Sequence, residues 1–275
     1  ETRDARGRRT RSAERSFQTA VEPGTPFCFA VVGDTQDRPW VWERIAENIF
    51  DERPSFLLHC GDIVGSGHRH DHWHEFFEAG RELLSHVPMV SVLGNHEEDA
   101  LHYYRFMANP GAERGTEHRY VYRYGNAAFF QLDSNRPLDT ESEQYGWLER
   151  ELAACDATWK IVCLHHPPFT SDANDYEDPA TADREPGDPN VRSVIPLLEE
   201  HRVAVVFYGH IHGYERTWPL RRGRVDHDHG VTYVQTGGGA GWLEDAGPTH
   251  AWFSAKLART HHHCWVAVCG NTLDL

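Results

Sequence analysis

Residues 203–217 read VAVVFYGHIHGYERT. The opening apolar run, rich in valine, has the length and β-branched content of a buried strand. It stops at Gly209, and two imidazoles, His210 and His212, follow one residue apart. In layered α/β folds ligands collect outside the carboxyl ends of strands, so other strand ends decide whether the pair matters. Four more apolar runs end in the same way. FCFAVV (27–32) runs into GDTQ, giving Asp34 and Gln36. FLLHC (56–60) runs into GDIVG, giving Asp62. PMVSVL (88–93) runs into GNHE, giving Asn95 and His96. KIVCL (160–164) runs into HHPPF, giving His165 and His166. Glycine precedes the polar residue at Gly33, Gly61, Gly94 and Gly209 and permits a sharp turn out of the strand. Each end alone is a common turn. The ordered set points to one cluster of carboxylates, amide and imidazoles.

That donor set suits Mn, Fe or Zn. Two such ions about 3.5–4 Å apart can clamp the attacking and leaving oxygens of an in-line displacement. A bound ion can lower the pKa of water from about 15.7 to about 7. At about 1.36 kcal/mol per unit this is roughly 12 kcal/mol toward hydroxide. No side-chain base supplies as much, so the expected nucleophile is metal-bound hydroxide and no protein nucleophile is needed.

The rest of the chain alternates. WVWERIAENIF (40–50) has helical spacing, with Trp42, Ile45, Ile49 and Phe50 as its apolar stripe. WHEFFEAGRELL (73–84), SEQYGWLERELAAC (142–155) and SVIPLLEEH (193–201) also read as helices, the last with its proline in the first turn. Residues 120–133 read as a hairpin, and VTYVQTGGG, AWFSAKL and HCWVAVCG as further strands. Gly270-Asn271 reads as a turn into a return strand, TLDL. Such alternation predicts α/β layers around mixed sheets.

The 275 residues suit one large domain or two small ones. Hydrophobic content is 39%, and no apolar run approaches the roughly 18 residues of a membrane span, so a soluble globular protein is expected. A formal charge of −15 argues against nucleic-acid binding, which rests on phosphate neutralisation by Lys and Arg. It leaves room for an anionic substrate held by cations. Residues 1–24, rich in Arg, read as a disordered basic arm ahead of a catalytic domain at 25–275. No signal peptide is visible, and the compartment stays open. Cys28, Cys60 and Cys163 sit in strand-like runs and read as buried thiols. SDANDYEDPATADREPGDPN (171–190) reads as a long acidic loop close to His165. Overhanging the site, it would repel a highly anionic substrate.

Through GNHE, HHPPF and above all GHIHGYERT, the chain resembles the calcineurin-like metallophosphoesterases, in their purple acid phosphatase branch. The resemblance runs from about Phe27 to Gly270 and takes in VTYVQTGGGAGW (231–242). It lacks the β-sandwich domain that precedes the catalytic domain of plant members. It implies a layered α-β-β-α fold, two mixed β-sheets flanked by helices, and a site for two metal ions. Carried over by position, Asp34, Asp62 and His212 bind the first ion, with Asp62 bridging. Asn95, His165 and His210 bind the second. His165 is taken over His166 because the family pattern is His-x-Pro. His96 stabilises a substrate oxygen or protonates the leaving group. The implied activity is hydrolysis of a small phosphate monoester. A phosphodiesterase, on a cyclic nucleotide or other diester, is the alternative, and a non-catalytic metal-binding relative a further one.

The pattern departs at two places. Purple members carry a tyrosine ligand where this chain has Gly65, and many other members a histidine where it has Gln36. Gln36 can offer its amide oxygen, or water fills the gap. Trivalent iron with tyrosinate contributes a net charge equal to that of a divalent ion with neutral Gln36, so two divalent ions are expected. The competing reading is a weakened or dead first site. Other features have plainer readings: His68, His70, His72 and His74 in a solvated loop leading into a helix, His227 and His229 in a hairpin loop, and His261, His262 and His263 structural on a strand. An ion pair among Tyr214-Glu215-Arg216 would fix its turn. Trp242 is the aromatic residue singled out as a substrate wall.

Overall fold

The computed structural model describes the chain apart from residues 1, 4, 12, 111–115, 177–186 and 249. Strands Val205–Tyr208 and Thr232–Thr236, Trp159–Cys163 and Ala127–Gln131 run parallel at the centre of a seven-stranded sheet. Tyr120–Tyr124 closes one side, and Tyr214–Thr217 with Ser254–Ala258 the other, all antiparallel. A five-stranded sheet has Phe27–Val32, Leu57–His59 and Met89–Ser91 in parallel, with Cys264–Cys269 and Thr272–Asp274 added antiparallel. Both sheets are therefore mixed.

Alternation of side chains along these strands builds three apolar layers. Phe29, Val31 and Leu58 of the smaller sheet meet Phe129, Ile161, Phe207 and Val234 of the larger one between the sheets. Residues one step along point outward. Ala30, Val32 and Leu57 pack under helices Pro39–Glu52 and His70–Ala79, through Trp42, Ile45, Ile49, Trp73 and Phe76. On the far side, Phe130, Val162 and Val206 pack under Glu143–Ala154 and Ile195–Glu200. The order is α-β-β-α, with ligand-bearing strands in both inner layers.

Two helices are shorter than their sequence patterns predict. The 73–84 pattern breaks at Gly80 into His70–Ala79 and Arg81–Leu84. A Cβ at Gly80 would lie 2.9 Å from Trp42 Nε1, so the indole of the neighbouring helix sits against bare backbone there. The 193–201 pattern yields Ile195–Glu200, preceded by a separate turn at Pro189–Arg192; Pro196 is in the first turn as expected. The basic arm makes contacts: Thr2–Arg3 pairs with Arg9–Thr10, Arg15 bonds Glu82 at 3.2 Å, and Tyr124 donates to Thr19 O at 3.2 Å. Most of the acidic loop lies outside the described residues. All six cysteines are free thiols. No helix among the described residues is long and apolar enough to cross a membrane.

Candidate metal centre

Parallel pairing points the carboxyl ends of the central strands of each sheet to one edge, and the five motifs meet there. The turns are made differently from the sequence expectation. Of the four glycines, only Gly61 has positive φ, at 88°. The left-handed residues are the donors themselves: Asp34 at 60°, Asp62 at 52° and His210 at 72°. The other glycines mainly provide room. A Cβ on Gly94 would lie 2.1 Å from Asp62 Oδ1, and one on Gly209 2.2 Å from Asp34 Oδ2.

Two groups of donors result, with Asp62 between them. In one, His212 Nε2 lies 3.6 Å from Asp34 Oδ1 and 3.2 Å from Gln36 Nε2. In the other, Asn95 Oδ1 lies 3.0 Å from both His165 Nε2 and His210 Nδ1. Asp62 Oδ2 is 3.2 Å from His165 Nε2. One donor atom each from Asp34, Asp62 and His165 lies within 4.8 Å of the others, and so does one each from His165, His166 and His210. Asp34, Asp62 and His165 are buried. His96 stands at the rim, its Nε2 3.9 Å from Asp62 Oδ2.

The Calcineurin-like phosphoesterase family profile matches residues 28–214, a stretch containing every one of these donors. The chain belongs to the calcineurin-like phosphoesterase family. It is 28% identical to purple acid phosphatase 18 of Arabidopsis thaliana over 214 residues, 73% of this chain and 47% of that one. It is also 28% identical to the probable inactive purple acid phosphatase 24 of the same plant, over 68% of this chain and 34% of that one. The chain spans about half the length of the curated relatives it matches first. Purple acid phosphatase PPD1 from yellow lupin (Lupinus luteus) seeds shares its fold, with a TM-score of 0.78 at 20% identity over 94% of this chain and 52% of that one.

The charges in this phosphoesterase-family site fit cations. Burial opposes ionisation of Asp62, yet His165 and then His96 hold its carboxyl well below the usual range. Burial also opposes charging of His165 and His212, yet Asp62 pushes the first up to about 10 and Asp34 the second up to about 9. Burial, then His165, drives His210 down to about 2 and His166 to about 3. Burial pushes the Asp34 carboxyl up, against the pull of His212; a cation bound here would replace protons in offsetting the two buried carboxylates. Gln36 Oε1 is buried with no hydrogen-bond partner. Because amide O and N are interchangeable in such an assignment, Gln36 can turn its oxygen toward the first position.

Backbone carbonyls orient the imidazoles. His165 Nδ1 donates to Cys60 O at 2.9 Å and His212 Nδ1 to Trp242 O at 2.8 Å, so each Nε2 is the nitrogen that would offer a lone pair to a cation once its proton leaves. His96 Nδ1 donates to Gly65 O at 3.0 Å and turns Nε2 inward. Gly65, with no side chain, borders a cavity of about 160 Å³ lined by Gln36, Asp37, His72 and Glu75 among others.

Sequence reading quoted GNHE and gave its last residue no role. Glu97 is fully buried and accepts four backbone N–H groups: Asp62 at 2.9 Å, Gly94 at 2.7 Å, Ile63 at 2.8 Å and Val64 at 3.3 Å. Burial, then Asp62, pushes its carboxyl up to about 7, against the pull of these amides. All four neighbours donate, so the ionised form is the one the geometry satisfies. Ser134, also passed over, accepts from the amides of His165 at 3.3 Å and His166 at 3.0 Å, and its hydroxyl contacts His166 Nδ1 at 2.8 Å. The Glu215 expectation is corrected: its partners are the amide and hydroxyl of Ser171, at 2.7 and 2.5 Å, rather than Arg216. His261, His262 and His263 precede the Cys264–Cys269 strand instead of lying on it. His70, His72 and His74 lie within helix His70–Ala79.

Proposed function

We propose that this chain is a dinuclear metal-dependent phosphoesterase that hydrolyses phosphate monoesters. Asp34, Gln36 and His212 would hold one divalent ion, Asn95, His165 and His210 the other, and Asp62 both. The observation that carries the reading is the meeting of these residues from five strand ends, with His96 Nε2 3.9 Å from Asp62 Oδ2. Mn, Fe or Zn bound there would activate water and neutralise phosphoryl charge. The chain's own residues supply the rest. Asp62 keeps its place because Glu97 holds its amide and the His96 amide donates to its Oδ1 at 2.9 Å. Water would add to phosphorus as the ester P–O bond breaks; the departing oxygen would take a proton from His96 Nε2, and the proton lost by the water would pass to solvent, from which His96 is reprotonated.

One observation favours a diesterase as the second reading. A dianionic monoester calls for a cationic clamp. Arg38, on the Asp34 loop, has its Nε committed to Ala240 O at 2.8 Å and its Nη2 to Gly241 O. The test is a pair of initial rates on Mn-loaded protein, p-nitrophenyl phosphate against bis-p-nitrophenyl phosphate, with a chelator-treated control. A chelator-sensitive rate dominated by the monoester supports the proposal. A dominant diester rate promotes the second reading. No turnover with both ions bound sinks both and leaves a non-catalytic relative.

A further inference from the structure

Trp242 is 67% exposed. Single exposed apolar side chains are common on protein surfaces, but this one is held still. The Arg38 guanidinium lies 4.4 Å from the centre of its ring. The same guanidinium bonds Ala240 O, Gly241 O and, at 3.1 Å, His261 Nε2, so it fixes the segment that bears the indole. A cation covers one face of the ring. At this exposure the other face is open to solvent.

The backbone that bears the indole runs beside the candidate metal centre. The Trp242 carbonyl accepts His212 Nδ1 at 2.8 Å, and three bonds separate that oxygen from the indole's Cβ. Gly241 lies against the His212 ring, where a Cβ would come within 2.6 Å of Nδ1. On the side of the second ion, Tyr176 approaches His210 with ring centroids 6.3 Å apart. Near Trp242, Glu244 lies 3.3 Å from His212 Nδ1 and forms a close cluster with Asp172 and Asp175. The walls described here are aromatic and acidic.

We propose that Trp242 is a stacking platform for an aromatic ring on the alcohol side of the ester, so that the site selects aryl- or nucleobase-bearing phosphate esters of low charge. The proposal rests on the phosphoesterase reading for the word ester; ring recognition stands apart from turnover. Arg38 holds the indole in one place, so little side-chain freedom is lost when a ring stacks on it. Base–aromatic stacking is sequence-tolerant, because every flat ring offers a π-face. The acidic cluster disfavours additional phosphates.

The test uses equilibrium binding by titration calorimetry on the Mn-loaded chain, with phenylphosphonate and methylphosphonate, neither of which carries a hydrolysable ester. Phenylphosphonate should bind roughly tenfold more tightly. Trp242→Ala should remove that preference, Trp242→Phe should keep most of it, and Mn content should not change, since the contact to His212 is made by backbone. The non-hydrolysable phosphonate analogues of adenosine 5′-monophosphate and ribose 5-phosphate, titrated in the same way, separate a nucleobase from a simple aryl group as the preferred ring. Equal affinities of the two phosphonates for the unmodified chain, or a preference that survives Trp242→Ala, would overturn the proposal. A ring preference lost in Trp242→Ala, in a chain that hydrolyses no ester, would keep the platform and discard the hydrolase reading.

Discussion

Glu97→Gln should damage the fold and the metal site by amounts that follow from its four bonds. The substitution keeps the shape of the side chain and exchanges one acceptor oxygen for an NH₂ group. Glu97 holds the Asp62 and Gly94 amides on one oxygen and the Ile63 and Val64 amides on the other. Whichever way the amide turns, two buried N–H groups face a donor. Each unsatisfied buried group costs about 1–3 kcal/mol. Some is returned because a buried charge is removed, so a net loss of about 3 kcal/mol is expected. With a urea slope of about 3 kcal/mol/M, the unfolding midpoint of the chelator-treated protein should fall by about 1 M. Mn affinity should fall about 10–100-fold, as for other partners that orient a ligand. Glu98→Gln is the control. Glu98 is exposed and accepts from Ser66 Oγ, so its loss should stay within about 0.5 kcal/mol. A Glu97→Gln midpoint within about 0.2 M of the parent would refute the reasoning.

Further outcomes can be checked in the same preparation. His96→Ala should abolish turnover with unchanged metal stoichiometry by elemental analysis, and surviving activity would remove His96 from its role. Chelation should lower the melting temperature: with free ion at one hundred times Kd, one site contributes about 2.7 kcal/mol, or roughly 5–10 °C for a chain of this size. An unchanged melting curve would mean that the donor cluster binds no ion tightly. The unmodified chain loaded with iron should show no tyrosinate absorption band, whereas Gly65→Tyr should gain one if its phenol reaches the first position. A band in the unmodified chain would refute the divalent assignment. Asp175→Asn should raise kcat/KM for a polyphosphate ester relative to a simple one, and an unchanged ratio would free the acidic cluster of any part in selectivity.

The layers and donors were legible because each is announced locally. A buried strand is a short apolar run, and Asp34, Asp62, Asn95, His165, His210 and His212 each follow one directly. What escaped was set by neighbours far along the chain. Glu97 follows a turn and carries a charge, so sequence alone gives it to solvent; only the approach of the Asp62 turn buries it. Arg38 and Trp242 meet across 204 positions, and no spacing rule links them. At Gly80, where the helix breaks, Trp42 fills the space a side chain would need, a packing event that an amphipathic pattern does not encode. The glycines before the donors were correctly located, but whether they bend or merely make room depends on φ, which residue type leaves open.

The left-handed conformation of Asp34, Asp62 and His210 has a consequence for how such a site can be lost. A side chain in that conformation costs about 1–2 kcal/mol relative to glycine for most residues and less for Asp and His, which enter it more readily, so about 3–6 kcal/mol is an upper bound on the backbone strain the three hold together. Cations that draw on all three donors can offset it; in their absence, backbone preference at each position favours glycine. If these residues hold cations as proposed, a lineage deprived of the metal would meet a downhill slope at these positions, each step easing the backbone as it erases a ligand. Decay would begin at the aspartates and the histidine, while Gly94 and Gly209, needed only to make room, would outlast the residues they accommodate.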